Sequence, residues 1–557
     1  NPGNAFKIAQ KYFGSIPRGQ QPPQVYTTEP VQRGEKRVVL RREGSSERIL
    51  MAYHIPAFSN KDTFALVMLD QILSGGRASR LYQSLVETKL ASGAWSSAGT
   101  RHYPGLFYLG ATALQGVSGD KIEQTLLDIV ENAKNTLPTE KEIQSAKNQI
   151  EASTIFQNDS VSDQGEQLGY YNTIGSWNDL DKLLEGIKKV TPQQVQEVAK
   201  KYLTRDNVTV GKFIPVAPSP EGQSGNTGQM NAYPEPIKDR FYKYSPSVPA
   251  IHNVTPVKKP LKSVAKLELR KNSLPLPKRY VLDNGLVLLV YENHSNPTVA
   301  VDGIIKAGAC FDPAGKSGVA DLTANMLNRG TATKSALEIA METESVGASI
   351  SFSASDEQAG YGAQSLVKDF DNVMGLLADQ LRNPAFPENQ FAMLKQQSLD
   401  GLEQSRESMD AQAFRVFNNT IFPKGHPYHS LTFEEQSVET GSITRDDLIA
   451  FHKLYYRPDT IILAVVGDVN PAKTLELVKR LFGDWKSIGP KPKVDIPLVH
   501  TQSAPKQTII TLPDKREVSI VMGYASEIGR KDPDYYAYRI MNQIIGGSGA
   551  LGSILGE

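Results

Sequence analysis

Hydrophobic and polar residues alternate with period two in four places, at 37 to 42, 48 to 55, 279 to 291 and 298 to 306, each rich in β-branched or aromatic side chains, and these runs predict strands. Apolar residues recur instead at three- and four-residue spacing over 61 to 74, 79 to 90, 119 to 135, 139 to 157, 318 to 329, 334 to 346, 366 to 382 and 387 to 407. Several of these stretches open on Thr, Ser or Pro and close on Gly, as helices do. Strand pairs followed by helix pairs, segregated along the chain, predict an α+β layer packing rather than a doubly wound parallel sheet.

The pattern also repeats. "NPGNAFKIAQKYFGSI" at the start recurs as "NPAKTLELVKRLFGDW", with Phe13-Gly14 answered by Phe482-Gly483, an offset of 469. "LDQILSGGRASRL" (69 to 81) is answered by "MNQIIGGSGALGS" (541 to 553), close to the same period. A weaker likeness at an offset of 253 joins "VTPQQVQEVAKKYLTRDNVTV" (190 to 210) to "ITRDDLIAFHKLYYRPDTIIL" (443 to 463). Each of these two has a Thr N-cap, an amphipathic helix, a turn and a β-branched strand. A tandem duplication is predicted, each copy holding two related α/β domains: 1–20 the tail of a first domain, 21–215 a second, 276–490 a third and 491–557 the beginning of a last. On this arithmetic a complete protein carries about 200 more residues before Asn1 and about 130 after Glu557.

Between the copies, 216–275 is dense in Pro, Gly and Ser and poor in periodic apolar residues, the chemistry of a linker or hinge. A length of 557 residues is too great for one core. With 39% apolar and 22% charged residues and a net charge of +1, the chain has no basic excess pointing to nucleic acid or an anionic membrane. No apolar run approaches the roughly 18 residues needed to span a bilayer. A single cysteine, Cys310, excludes an internal disulfide and any zinc cage built on several thiols.

Four stretches invite a chemical reading. "GACFDPAGKSG" (308 to 318) resembles a phosphate-binding loop, but the position five before Gly315, where the motif needs glycine, holds Cys310, and Gly308 comes too early. "GHPYH" offers His426 and His429, with Pro427 blocking a helical presentation of the pair. His54, His102, His252, His294, His452 and His500 are scattered singly. "SGGRASRLYQSL" (74 to 85) places two glycines and the basic Arg77 and Arg80 before a helix, a geometry that can receive a carboxylate or serve as a tight turn. "GVADLTANMLNRGT" (318 to 331) has the spacing of a zinc-peptidase helix of inverted order, which needs His, then Glu and His three and four residues on; those positions hold Asp321, Ala324 and Asn325. Alanine takes no proton and a neutral amide oxygen is a poor zinc ligand.

The run "GIIKAGACFDPAGKSGVADLTANMLNRGTATKSALEIA" and the later "FPKGHPYHSLTFEEQSVETGSITRDDLIAFHKLYYRPDTIILAVVGDVNP" resemble the pitrilysin/insulinase family of inverted-motif zinc peptidases. That family carries Gly-x-Ala-His-x-x-Glu-His-Met-x-x-x-Gly-Thr at this place, and its third ligand, a Glu, would fall near Asp400. The resemblance implies four related domains, each an antiparallel-rich sheet packed by helices, arranged as a clamshell around a chamber. One half would bind zinc and act on peptides or unfolded polypeptide, through metal-bound water and a Glu base. The other would be degenerate and supply shape. No catalytic, metal or cofactor residue is then expected in this chain: the zinc helix would lie about 150 residues before Asn1, and the family's Arg and Tyr substrate pair beyond Glu557. Kinship suggests a bacterial envelope or periplasm. Two readings stay open, a zinc endopeptidase and a non-catalytic scaffold of the same fold with both sites lost.

Overall fold

The computed structural model describes residues 2–20, 27, 29–216, 276–500, 504, 506–512 and 518–546. The expected linker and the repeat at 541 to 553 therefore fall wholly or partly outside the described residues.

Helix α1 (Pro2–Phe13) precedes a five-stranded sheet of β1 (Lys36–Glu43), β2 (Arg48–Ile55), β3 (Ala91–Ala98), β4 (Gly105–Ala113) and β5 (Val208–Val216), in the order β1-β5-β2-β4-β3. Only β1 and β5 run parallel; the other pairs are antiparallel. The alternation that predicted β2 places Ile49, Met51, Tyr53 and Ile55 on one buried face. Each such side chain contributes about 1.5–3 kcal/mol, and a slip of one residue would turn all four to solvent. This face is covered by α2 (Thr63–Ser74), α3 (Gly119–Asn135) and α7 (Pro192–Tyr202), with α4 (Glu140–Gln157), α5 (Val161–Ile174) and α6 (Asp179–Lys189) outside them.

The second sheet contains β6 (Lys278–Val281), β7 (Val287–Glu292), β8 (Thr298–Ile305), β9 (Ser349–Ala354), β10 (Ala359–Leu366) and β11 (Ile462–Gly467), in the order β6-β7-β11-β8-β10-β9. Without the edge strand β6, this order is that of the first sheet, and again one pair, β7 and β11, is parallel. Its helices are α8 (Val319–Met326), α9 (Ala336–Ser345), α10 (Phe370–Arg382), α11 (Glu388–Arg406), α12 (Met409–Ile421), α13 (Phe433–Ser442), α14 (Arg445–Tyr455) and α15 (Pro471–Phe482), with α16 (Tyr535–Gly546) beyond. The weaker repeat holds in three dimensions. α7 and α14 both begin on a Thr capping box, Thr191 with Gln194 and Thr444 with Asp447, and both span 11 residues at the offset of 253.

Two sequence expectations are corrected. The run 279 to 291 is a hairpin and not one strand, because Gly285 turns at φ +89° between β6 and β7. The helix at 79 to 90 is shorter, covering 80 to 86 with wide turns over Tyr82–Val86, and the chain turns away with Lys89 at φ +61°.

Candidate functional site

The quoted helix is shorter than its pattern. α8 stops at Met326, and Arg329-Gly330-Thr331 follows as a turn in which Gly330 and Thr331 make isolated bridges to Ser335 and Pro384. Its start is fixed by Asp312. One carboxylate oxygen accepts the Gly318 N–H at 2.8 Å and the other the Ala320 N–H at 2.7 Å, while Glu439 takes the Ser317 N–H at 3.0 Å. Burial pushes the Asp312 carboxyl up to about 6, against the pull of those two N–H groups, with Asp321 and Glu439 raising it further. "GACFDPAGKSG" is thus a turn whose amides are filled by the chain's own carboxylates, Asp312 within the loop and Glu439 from a later helix. Lys316 reaches Asp447 at 2.6 Å, and burial pushes the Cys310 thiol up to about 11.

Along α8 the spacing of four residues does place Asp321 and Asn325 together. The Asn325 amide donates to the Asp321 carbonyl at 2.9 Å and to its carboxylate at 3.0 Å. Asp321 reaches solvent at one edge yet is crowded by protein, and this burial raises its carboxyl, the Asn325 bond opposing it. Ala324, one position before Asn325, is fully buried in the second core. Asp400, on α11, is buried; its two carboxylate oxygens accept from Gln396 Nε2 at 2.8 Å and from the Gln115 N–H at 3.3 Å.

This donor set does not fit a zinc ion. Asn325 offers the Asp321 oxygen a donor where a ligand pair needs two acceptors, Asp400 has both oxygens engaged elsewhere, and Ala324 carries no polar atom. Among the described residues no group of three His, Cys, Asp or Glu could hold a metal.

The other candidates are drawn into packing. Arg80 forks onto Glu142 at 2.8 and 3.2 Å. Arg77 donates from its guanidinium to the carbonyl and side-chain oxygens of Asn328, at 3.1 and 2.9 Å. His426 accepts the Tyr428 N–H at its Nδ1 and so donates from Nε2 to the Pro497 carbonyl, stacked on Phe422 with centroids 4.9 Å apart. His429 donates to the Phe422 carbonyl, so neither ring of "GHPYH" faces the other as a ligand pair. His452 donates to the Leu381 carbonyl, and burial lowers its pKa to about 4. His54, His102, His294 and His500 each have one or two oxygen partners; His252 lies outside the described residues.

Sequence reasoning missed Asp312, Glu344 and Arg329. Glu344 sends its carboxylate to the Arg77 and Ala78 N–H groups at 2.6 and 3.2 Å, and burial raises its pKa. Arg329 is buried beside Gln390 and Gln397. The signal for Asp312 was its place six residues before Gly318, which caps the helix; for the other two, contacts more than 60 residues distant left none. On the solvent face of the second sheet a trough of about 520 Å³ is lined by Asp302, Ser351, Ser353, Gly360 and Gly362.

Residues 1–150 and 442–555 match the peptidase M16 inactive domain, and residues 287–431 match the insulinase domain of peptidase family M16. The chain belongs to peptidase family M16. Similar proteins include an uncharacterized zinc protease of Rickettsia bellii, 27% identical over 36% of this chain and 48% of that protein. Another is subunit 1 of the mitochondrial cytochrome b-c1 complex of Rattus norvegicus, 26% identical over 49% of this chain and 56% of that protein. A crystal structure of a peptidase M16 inactive domain from Pseudomonas fluorescens aligns with a TM-score of 0.42 at 24% identity, covering 50% of this chain and 66% of that one. The chain spans about half the length of these two curated relatives. No described helix is long and apolar enough to cross a membrane.

Proposed function

We infer that this chain forms the non-catalytic, substrate-enclosing part of a zinc-dependent endopeptidase acting on peptides or unfolded polypeptide, with the hydrolytic centre in a domain outside these residues. One observation carries the reading: the helix that keeps the frame of a zinc helix has its base position, Ala324, absorbed into the core, and its ligand positions, Asp321 and Asn325, bonded to each other. A second observation supports a preceding domain of the same kind. α15 buries Leu477, Val478 and Phe482 against the second sheet domain. Their counterparts at the offset of 469 are Ile8, Ala9 and Phe13 of α1, which buries nothing, Ile8 and Phe13 being 51% and 69% exposed. An apolar stripe of that spacing fits a sheet domain like the one α15 covers.

The likeness to a cytochrome b-c1 subunit favours a second reading, a scaffold of the same fold with no working zinc site in either half. Zinc content and hydrolysis of an unfolded polypeptide separate the two. The chain alone is expected to retain no stoichiometric zinc and to cleave nothing, while the full product of its gene hydrolyses the substrate and loses that activity to a chelator. A full product with no chelator-sensitive hydrolysis would favour the scaffold. One tightly held zinc on the chain alone would overturn the account of Asp321 and Asn325.

A further inference from the structure

The two sheet domains bury separate apolar cores. One draws on residues between Ile49 and Val210, the other on residues between Leu282 and Phe482, and neither cluster crosses the seam. What joins them includes a set of polar contacts, beside close packing such as that of Ala152 against Gly347. α4 lies against α9, with Asn148 Nδ2 donating to the Ser345 carbonyl at 2.6 Å and Ser145 Oγ to the Glu344 carbonyl at 3.3 Å. Further along, the Gln115 N–H reaches Asp400 and Gln397 reaches the Ser92 carbonyl.

Within this seam Glu344 enters the loop Gly75–Ala78. Its Oε1 accepts the Arg77 N–H at 2.6 Å and its Oε2 the Ala78 N–H at 3.2 Å. Gly76 stands at φ +136°, and a Cβ there would overlap the carboxylate. A simple helix-to-helix turn explains a glycine of positive φ, but not two successive N–H groups aimed at one carboxylate, nor the space left for it. The Arg77 guanidinium is held aside by Asn328, so it adds positive charge nearby without occupying the cradle.

We propose that the Gly75–Ala78 loop is a carboxylate receptor whose resident ligand is Glu344, and that this recognition sets the register in which the two sheet domains pack. The proposal is independent of whether the longer protein is a peptidase. The two cores are separate, and small-residue packing such as Ala152 on Gly347 is undirected, so the directional contacts across the seam are the polar ones. Among the described residues Glu344 is the one seam carboxylate that engages two successive backbone donors.

Hydrogen exchange in the 557-residue chain, followed in peptides covering 74–83 and 140–157, tests this. In Glu344→Ala the Arg77 and Ala78 amides lose their acceptors and should exchange about tenfold faster or more, and the 140–157 peptide should lose protection with them. Acetate replaces the atoms removed by the substitution, so tens of millimolar acetate should slow the loop amides again. It should not do so in the Glu344→Ala, Gly76→Ala double variant, where the cradle is blocked. Glu344→Gln, the same shape with one acceptor oxygen, should speed one of the two amides and guards against a variant that merely unfolds. Unchanged exchange in Glu344→Ala, or acetate acting equally on the double variant, would overturn the proposal.

Discussion

A glutamate introduced at position 324 is the sharpest probe of what became of the zinc frame. Ala324 has no exposed surface and sits in the core with Val319, Leu322, Met326 and Leu327 around it on the same stretch of chain. A carboxyl in such a site titrates up to about 3–5 units above its ordinary value. Because the buried group takes up a proton rather than stay charged, its cost at pH 7 is capped by the gap of about 2.7 units between pH 7 and the unfolded value of about 4.3; at about 1.4 kcal/mol per unit this is about 3–4 kcal/mol, a large part of a domain's total of about 5–15 kcal/mol. Size alone accounts for less: Ala324→Leu, overpacked but uncharged, should cost about 1–3 kcal/mol. The assay is denaturant unfolding of a chain in which Trp95 and Trp177 are replaced by Phe, so that Trp485, packed against the second core, reports alone. Because the introduced carboxyl would have a folded-state pKa above its unfolded value, its electrostatic penalty is fully present above the folded pKa and fades as pH falls through that window. Ala324→Glu should therefore be far less stable than Ala324→Leu at pH 7 and close to it near pH 4. Were Ala324→Glu within about 1 kcal/mol of the parent chain at pH 7, position 324 would still open onto a solvated cleft, and the claim that the base position has joined the core would fail.

Two titrating groups should give the second sheet domain opposing pH dependences. Asp312, raised to about 6, lets the folded state bind more protons than the unfolded one, so its contribution falls as pH rises from about 4 to 6; Asp312→Asn should remove that slope from denaturation midpoints measured at pH 4.5 and 7. His452, lowered to about 4, does the reverse: its neutral buried form supports the fold above about pH 6.5, and the support is lost as pH falls towards 4, so His452→Gln should flatten the acid limb of the same titration.

Local physics was legible where it decides structure. Ser118 and Thr139 accept from the first helical amides of α3 and α4, and the predicted spans 119 to 135 and 139 to 157 agree with the observed helices to within one residue. β2 matches 48 to 55 because its alternation is also its burial. β3, β4, β9 and β10 escaped notice; in "ASGAWSSA" and "AGYGAQSL" most positions hold Ser, Gly or Ala and give little apolar signal, whereas in "GLFYLGATA" the run of Leu106 to Leu109 is continuous and does not alternate. At the candidate helix, spacing alone put Asp321 and Asn325 on one face. It could not say that Ala324 faces inward, since alanine suits a cavity wall and a core equally, and no pattern joins Glu344 to Arg77, 267 positions away.

The two stretches that looked like anion-binding loops share one resolution. In "GACFDPAGKSG" the converging amides of Ser317, Gly318 and Ala320 are met by Glu439 and Asp312; in "SGGRAS" those of Arg77 and Ala78 are met by Glu344. Successive N–H groups that point to one spot must find an acceptor once neighbouring chain covers them, and an unmet pair would forfeit more than a single hydrogen bond returns. A glycine-rich pattern therefore records that a backbone cradle exists, not that its ligand is foreign. Which occupant it has is decided in one loop by carboxylates of the same domain, Asp312 and Glu439, and in the other by another domain. The seam cradle is the more informative of the two, because an acceptor supplied from another domain can be withdrawn without unfolding the loop that receives it, whereas Asp312 cannot leave α8 without undoing the start of the helix it caps.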